Sequence, residues 1–141
     1  MMLSECAETL SRCPGCAAQV RVHHCVVLYS GEIRWSESIQ CTHCGRAQEA
    51  DSDQGHAVAR AAILAANGTW AVAVTDLGPA PIWVLRVIRN ELGMNPREAR
   101  QRLDRLAVGT RIEMEFLLAK FVAERAVGAC RRVDGEDGLT Q

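Results

Sequence analysis

Two short runs can do chemistry together: Cys13-Pro14-Gly15-Cys16 and Cys41-Thr42-His43-Cys44-Gly45, with residues 17–40 between them. Each Cys-x-x-Cys run puts two sulfurs on one tight turn, and two such turns supply four soft ligands at the corners of a tetrahedron. That is the donor set and spacing of a structural zinc site. Gly45 gives the second turn the backbone freedom it needs after its last ligand. The competing chemistries fit less well. Seven cysteines is an odd number for a disulfide framework. A redox Cys-x-x-Cys normally occurs once, between a strand and a helix, whereas these two bracket a hairpin pattern. One zinc held by Cys13, Cys16, Cys41 and Cys44 is therefore expected. Four thiolates leave no open position for a water, so hydrolytic zinc chemistry is not expected.

The elements that position these ligands are legible between them. Val20, Val22, Val26, Val27 and Tyr29 make Ala18 to Ser30 a strand, Ser30-Gly31-Glu32 a turn, and Ile33 to Gln40 a returning strand. Turn, hairpin, turn is the plan of a zinc ribbon, and a core that small depends on its metal. Residues 1–12 read as a loose lead-in, so the ribbon is assigned to 1–45. Residues 46–55 are polar and read as a linker, with Asp53 placed to cap an alanine-rich helix from His56 to Ala66 that Asn67-Gly68 would end. Linker and helix together occupy 46–69.

The remaining histidines and cysteines carry no clear chemistry. His23, His24 and Cys25 lie mid-strand, where alternation sends His24 to the face opposite its neighbours. Ordinary surface or core histidines are expected there rather than a second metal site. His43 sits inside the second turn and His56 at a helix start. Cys6, Cys25 and Cys130 are expected as free thiols, with Cys25 and Cys130 buried in strands.

A second module begins at Trp70. Trp70 to Thr75 is an apolar strand and Asp76 to Pro81 a Gly/Pro loop. Ile82 to Leu92 is helical and ends at Gly93. Asn95-Pro96-Arg97-Glu98 combines an N-cap, a first-position proline and a third-position glutamate, starting a helix to about Leu106. A strand is expected near Val108 to Ile112. Met114, Leu117, Leu118, Phe121, Val122 and Ala126 then recur at three- and four-residue steps, a helix closing at Gly128. Ala129 to Val133 is a last strand, and residues 135–141 an acidic tail expected to be disordered. The fold class is α+β, with strand, helix, helix, strand, helix, strand in this module.

Composition and charge narrow the function classes. The chain has 141 residues, 48% hydrophobic and 23% charged, as expected of a globular protein. The first twelve residues lack the basic-then-apolar pattern of a secretion leader, and no apolar run has membrane-spanning length, so a reducing cytoplasm is the expected compartment. No phosphate-binding glycine loop, dinucleotide fingerprint or Gly-x-Ser-x-Gly elbow is present, and an enzyme is not expected. The net charge of −1 conceals a basic stretch. Residues 82–111 hold arginines 86, 89, 97, 100, 102, 105 and 111 against Glu91, Glu98 and Asp104, a local charge of +4. Arginine rather than lysine suits an interface with carboxylate or phosphate. On the first helix, Val84, Val87, Ile88 and Leu92 can face the core, while Ile82, Leu85, Arg86 and Arg89 share another side.

The stretch from Ile82 to Arg100, with Arg86, Arg89, Gly93 and Arg97-Glu98-Ala99-Arg100, resembles the helix-turn-helix core of the C-terminal domain of the bacterial ribosomal stalk protein. The resemblance covers about residues 70–134 and continues through a short strand, a helix and Val127-Gly128-Ala129. Asn95-Pro96 stands where that family has Gly-Leu, and a zinc ribbon replaces its long dimerisation region. The resemblance implies a face built from Ile82, Leu85, Arg86, Arg89, Glu98 and Arg100 that recruits or blocks a protein partner, such as a translational GTPase or another translation component. The same fold is shared by the N-degron adaptor of the Clp protease, whose acidic, proline-containing loop Asp76 to Pro81 faintly resembles. Alternatives are a nucleic-acid-binding regulator that uses the ribbon and the arginine face, and an antitoxin-type neutralising protein.

Overall fold

Four strands precede the first helix: β1 (Met2–Arg12), β2 (Gln19–Tyr29), β3 (Glu32–Gln40) and β4 (Ala47–Ser52). They form one antiparallel sheet in sequence order. The computed structural model describes residues 2–52 and 56–134. The chain divides into two units, Met1–Asn67 and Gly68–Gln141.

In the first unit, period-two alternation gives the sheet one apolar face. Val20, Val22, His24 and Val26 of β2 are buried, as are Ala7 of β1 and Trp35 of β3. Helix α1 (Ala57–Asn67) packs on β1, β2 and β3 through Ala59 and Ile63. His56, just before α1, stacks on Trp35 with ring centroids 4.1 Å apart. At the other end of the helix, Asn67 donates to the Cys6 carbonyl at 3.1 Å.

Two segments differ from the expectation. Residues 2–12 are not a loose lead-in but an eleven-residue strand paired with the whole of β2. Residues 47–52 are not linker but the edge strand β4, paired with β3 from Trp35↔Ser52 to Gln40↔Ala47. Neither carries a strong apolar signal. Backbone pairing to a neighbour, and for β1 a helix on top, holds them in the sheet. Asp53, expected as a helix cap, and the tail 135–141 lie outside the described residues.

The second unit runs β5 (Trp70–Asp76), α2 (Pro81–Leu92), α3 (Pro96–Gln101), β6 (Ala107–Gly109), α4 (Arg111–Ala123) and β7 (Val127–Arg132). Its three strands are antiparallel in the order β6-β5-β7. Val72 and Val74 of the central strand, Val84 and Ile88 of α2, Leu106, and Leu117 and Phe121 of α4 share one core. Pro81 opens α2, and Gly93 closes it at φ 71° with its N–H on the Arg89 carbonyl at 2.9 Å. The Lys120 ammonium of α4 reaches Glu91 of α2 at 2.6 Å.

Helix α3 starts as its sequence signals imply. Asn95 Oδ1 accepts the Glu98 N–H at 2.9 Å and Pro96 occupies the first turn. Asn95→Ala should destabilise the second unit by about 1 kcal/mol in denaturant titration. A change too small to measure would show that this cap does not hold the helix start.

Helix α3, strand β6 and helix α4 end short of the boundaries expected from the sequence. Helix α3 stops at Gln101, because Leu103 and Leu106 make backbone bonds with Val74 and Val72. The expected strand to Ile112 ends at Gly109. Thr110 caps α4 there, its hydroxyl accepting the Glu113 N–H at 3.1 Å while Glu113 accepts the Thr110 N–H at 2.9 Å. This Thr-x-x-Glu box was present in the sequence. The helix closes at Ala123 rather than Gly128, as Arg125 takes a left-handed φ of 71°.

Gly128 therefore lies inside β7, opposite Val74, beside an irregularity at Thr75 whose hydroxyl bonds the Val127 carbonyl at 3.1 Å. A Cβ at Gly128 would overlap the Ala73 carbonyl oxygen and stand 3.1 Å from Leu118 Cδ1. Backbone cannot yield as a side chain can. Gly128→Ala should cost about 2 kcal/mol or more, read as a lowered unfolding midpoint; an unchanged midpoint would show that β7 shifts freely.

Candidate metal centre and arginine-lined groove

The two Cys-x-x-Cys turns are the connections of two hairpins. The first joins β1 to β2 and the second joins β3 to β4, so both lie at one end of the four-stranded sheet. The turns are built alike. Cys13 N–H bonds the Ala18 carbonyl at 2.8 Å and Ala17 N–H the Cys13 carbonyl at 2.8 Å. Cys41 N–H bonds the Arg46 carbonyl at 2.8 Å and Gly45 N–H the Cys41 carbonyl at 2.9 Å. The residue after each second cysteine is left-handed, Ala17 at φ 63° and Gly45 at φ 78°. The glycine adopts this conformation without strain; the alanine takes it because the turn requires it.

This geometry brings Cys13, Cys16, Cys41 and Cys44 together, with all four sulfurs within 4.8 Å of one another. Cys13 and Cys44 sulfurs are 3.7 Å apart, and Cys16 and Cys41 sulfurs 3.6 Å. A tetrahedron with metal–sulfur bonds of about 2.3 Å has edges of about 3.8 Å, close to the spacing of these two pairs. Cys13 and Cys41 are buried, Cys16 half-buried and Cys44 exposed. Val20 packs with Cys13 and Cys41, and Ile39 and Ala18 lie against them. His43 lies outside the four-sulfur set.

Backbone amides draw two of the four thiols toward the thiolate form. The Gly15 amide, donating to the Cys13 sulfur at 3.3 Å, and then the Cys16 amide draw the Cys13 thiol down to about 7. The Cys44 amide lowers Cys41. For Cys16 the Ala18 amide acts in the same direction, but burial and the three neighbouring sulfurs outweigh it and push the thiol up to about 12. Anions this close repel, so without a cation the cluster keeps protons. A bound dication reverses that balance. The Arg46 side chain lies against Gly15 of the opposite turn. The four-cysteine cluster can hold a metal ion.

The second unit carries a groove of about 450 Å³, lined by Ile82, Leu85 and Arg86 and Arg89 of α2 with Pro96 and Arg100 of α3. Ile82 is exposed, whereas Leu85 belongs to the core and offers only an edge. Arg86 stands over the Trp83 ring at 4.5 Å. Among the described residues, Arg86, Arg89 and Arg100 make no ion pair. Glu98 is not part of this lining; its amide is held by Asn95 at the start of α3.

No family model, no curated protein and no solved structure matches this chain.

The first sheet also corrects two residue assignments. Cys6 and Cys25 are not free thiols: they are directly opposed on β1 and β2 and joined in a disulfide. Residues 2–12 carry little strand signal of their own, and only their pairing with β2 sets Cys6 opposite Cys25. Cys130 is a free thiol, half-buried rather than buried; burial and the nearby Glu115 push it up to about 12. His24 lies on the apolar face with 1% of its surface exposed. Its Nε2 pairs with the Thr9 hydroxyl at 2.8 Å. Glu37 lies 3.4 Å from Nδ1 without hydrogen-bond geometry, so among the described residues Nδ1 has no hydrogen-bond partner. His23 faces the other way, with Nδ1 3.2 Å from Glu8. Among the described residues, no helix is long and apolar enough to cross a membrane.

Proposed function

We propose that this chain is a non-enzymatic zinc-binding adaptor. One structural zinc on Cys13, Cys16, Cys41 and Cys44 holds the first unit as a ribbon. The second unit, read as a ribosomal-stalk-like domain, presents the α2–α3 groove to a protein partner. A translational GTPase or another translation component is the partner class. The observation that carries the reading is the groove itself. An apolar floor of Ile82, Leu85 and Pro96 is rimmed by three arginines that make no ion pair among the described residues. Desolvated apolar surface with unpaired guanidinium groups around it is what a protein interface requires. The order of elements in the second unit supports the stalk-like reading. Zinc is the metal because four cysteine thiolates in a closed tetrahedron suit it and leave no site for substrate.

The same arginines suit nucleic-acid phosphates, so the deciding experiment compares the two. The purified chain is titrated against a translational GTPase and against RNA and duplex DNA over a salt series. The adaptor reading expects saturable GTPase binding that survives moderate salt. Binding to nucleic acid alone, with affinity falling steeply and linearly in log–log form, would replace it by the nucleic-acid reading.

A further inference from the structure

We propose that Cys6 and Cys25 form a reversible dithiol–disulfide couple, served by His23 and Glu8, that exchanges with low-molecular-weight thiols at the solvent face of the first sheet. The zinc and groove readings use none of these four residues.

The first argument is register. Cys6 and Cys25 are direct partners inside a ladder of eleven consecutive pairs, from Met2↔Tyr29 to Arg12↔Gln19. Pairs on both sides keep the two sulfurs adjacent whether bonded or not. A disulfide stabilises mainly by constraining the unfolded chain; within the folded sheet the backbone pairing by itself keeps Cys6 opposite Cys25, so reduction leaves the thiols positioned to re-form the bond.

The second argument is placement. Alternation puts Ala7, Val22, His24 and Val26 on the buried face and sends Cys6, Glu8, His23 and Cys25 to the other. Cys6 is exposed and Cys25 half-buried, so an incoming thiol reaches the Cys6 sulfur. Glu8 and His23 are themselves direct partners, two residues along from the cysteines on the same face, about 7 Å away. A Glu8 carboxylate oxygen lies 3.2 Å from His23 Nδ1, within ion-pair distance but without hydrogen-bond geometry, and another lies 3.6 Å from Arg21. Among the described residues, His23 Nε2 has no partner, which leaves it free to take and return a proton.

The third argument is selectivity. A bound metal would occupy Cys13, Cys16, Cys41 and Cys44, and the Cys130 thiol is held protonated near neutral pH. Of seven cysteines, this pair alone is then open to exchange.

The chemistry balances with two thiols. His23 takes the proton of the first thiol, and the thiolate attacks the Cys6 sulfur. The Cys6–Cys25 bond breaks, and Cys25 leaves as a thiolate that receives the proton from His23. A second thiolate attacks the thiol-derived sulfur of the mixed disulfide on Cys6. The external disulfide departs, and Cys6 leaves as a thiolate that takes up the second proton. Two external thiols are oxidised and the protein disulfide is reduced.

The test equilibrates the zinc-loaded full chain in glutathione buffers of increasing reducing strength, then alkylates it and maps the labelled peptides. Cys6 and Cys25 should be labelled together and reversibly, with zinc content and sheet circular dichroism unchanged. Cys25→Ser should retain glutathione on Cys6. His23→Gln should slow exchange roughly tenfold or more at an unchanged equilibrium ratio. Reduction that occurs only once the sheet melts would make the bond a structural staple and overturn the proposal, as would an unaltered rate in His23→Gln. Labelling of Cys13, Cys16, Cys41 and Cys44 in the native protein would count against the zinc reading instead, and the peptide map separates the two.

Discussion

Cys41→Ser should abolish metal binding and release the ligand-bearing end of the first sheet, while the second unit keeps its structure. Metal analysis of the unaltered protein should return about one zinc per chain, and of the variant none. Cys41 is 1% exposed, with its sulfur 3.6 Å from that of Cys16, so the substitution removes a buried ligand and leaves three thiolates facing a hydroxyl. Apparent zinc binding energies of about 10–16 kcal/mol are as large as the whole stability of a small domain. The structure limits where that loss appears. The eleven-pair ladder and α1 still hold β1 and β2, whereas β4, among the described residues, is an edge strand paired to β3. Amide exchange should therefore accelerate most in β3 and β4 and remain slow in β5 and α4, which have their own core. A metal-free protein with native protection in β3 and β4 would remove zinc from the account of this fold.

Arg86→Glu combined with Arg89→Glu should abolish partner capture and leave zinc content and thermal unfolding nearly unchanged. Both side chains are exposed, and neither has an intramolecular ion pair among the described residues to lose. Exposed substitutions of this kind usually shift stability by about 0.5 kcal/mol or less. At an interface the same reversal sets like charges together or strands the partner's carboxylates, at a cost of several kcal/mol. Binding by surface resonance and unfolding by calorimetry, on the same preparation, separate the two effects. A variant that folds and still captures the partner would move the binding face away from the groove. One that misfolds would make the face part of the packing.

The four-cysteine cluster was legible because its chemistry is local. Spacing within each Cys-x-x-Cys turn and a hairpin-length separation are properties of the sequence alone, and the folded chain brings those four sulfurs within 4.8 Å. The start of α3 was legible for the same reason, since Asn95 bonds a backbone group three residues away. The Thr110–Glu113 box is equally local, but the apolar three- and four-residue steps around it run on without marking it as a boundary.

What tertiary structure decided lies between residues far apart in sequence. The strands β1 and β4 exist because they pair, and pairing energy belongs to two segments at once; neither Met2–Arg12 nor Ala47–Ser52 announces itself by its own side chains. With β1 unseen, Cys6 and Cys25 were two unrelated thiols, and the register of the ladder makes them a bond. Leu85 could be placed on a helix face by counting, but whether that face met the core or solvent depended on what α4 and β5 bring against it, and most of Leu85 went to the core. Gly128 shows the same division. As a sequence letter it reads as a helix stop, and only the approach of the Ala73 carbonyl across the sheet makes the absence of a side chain there a requirement.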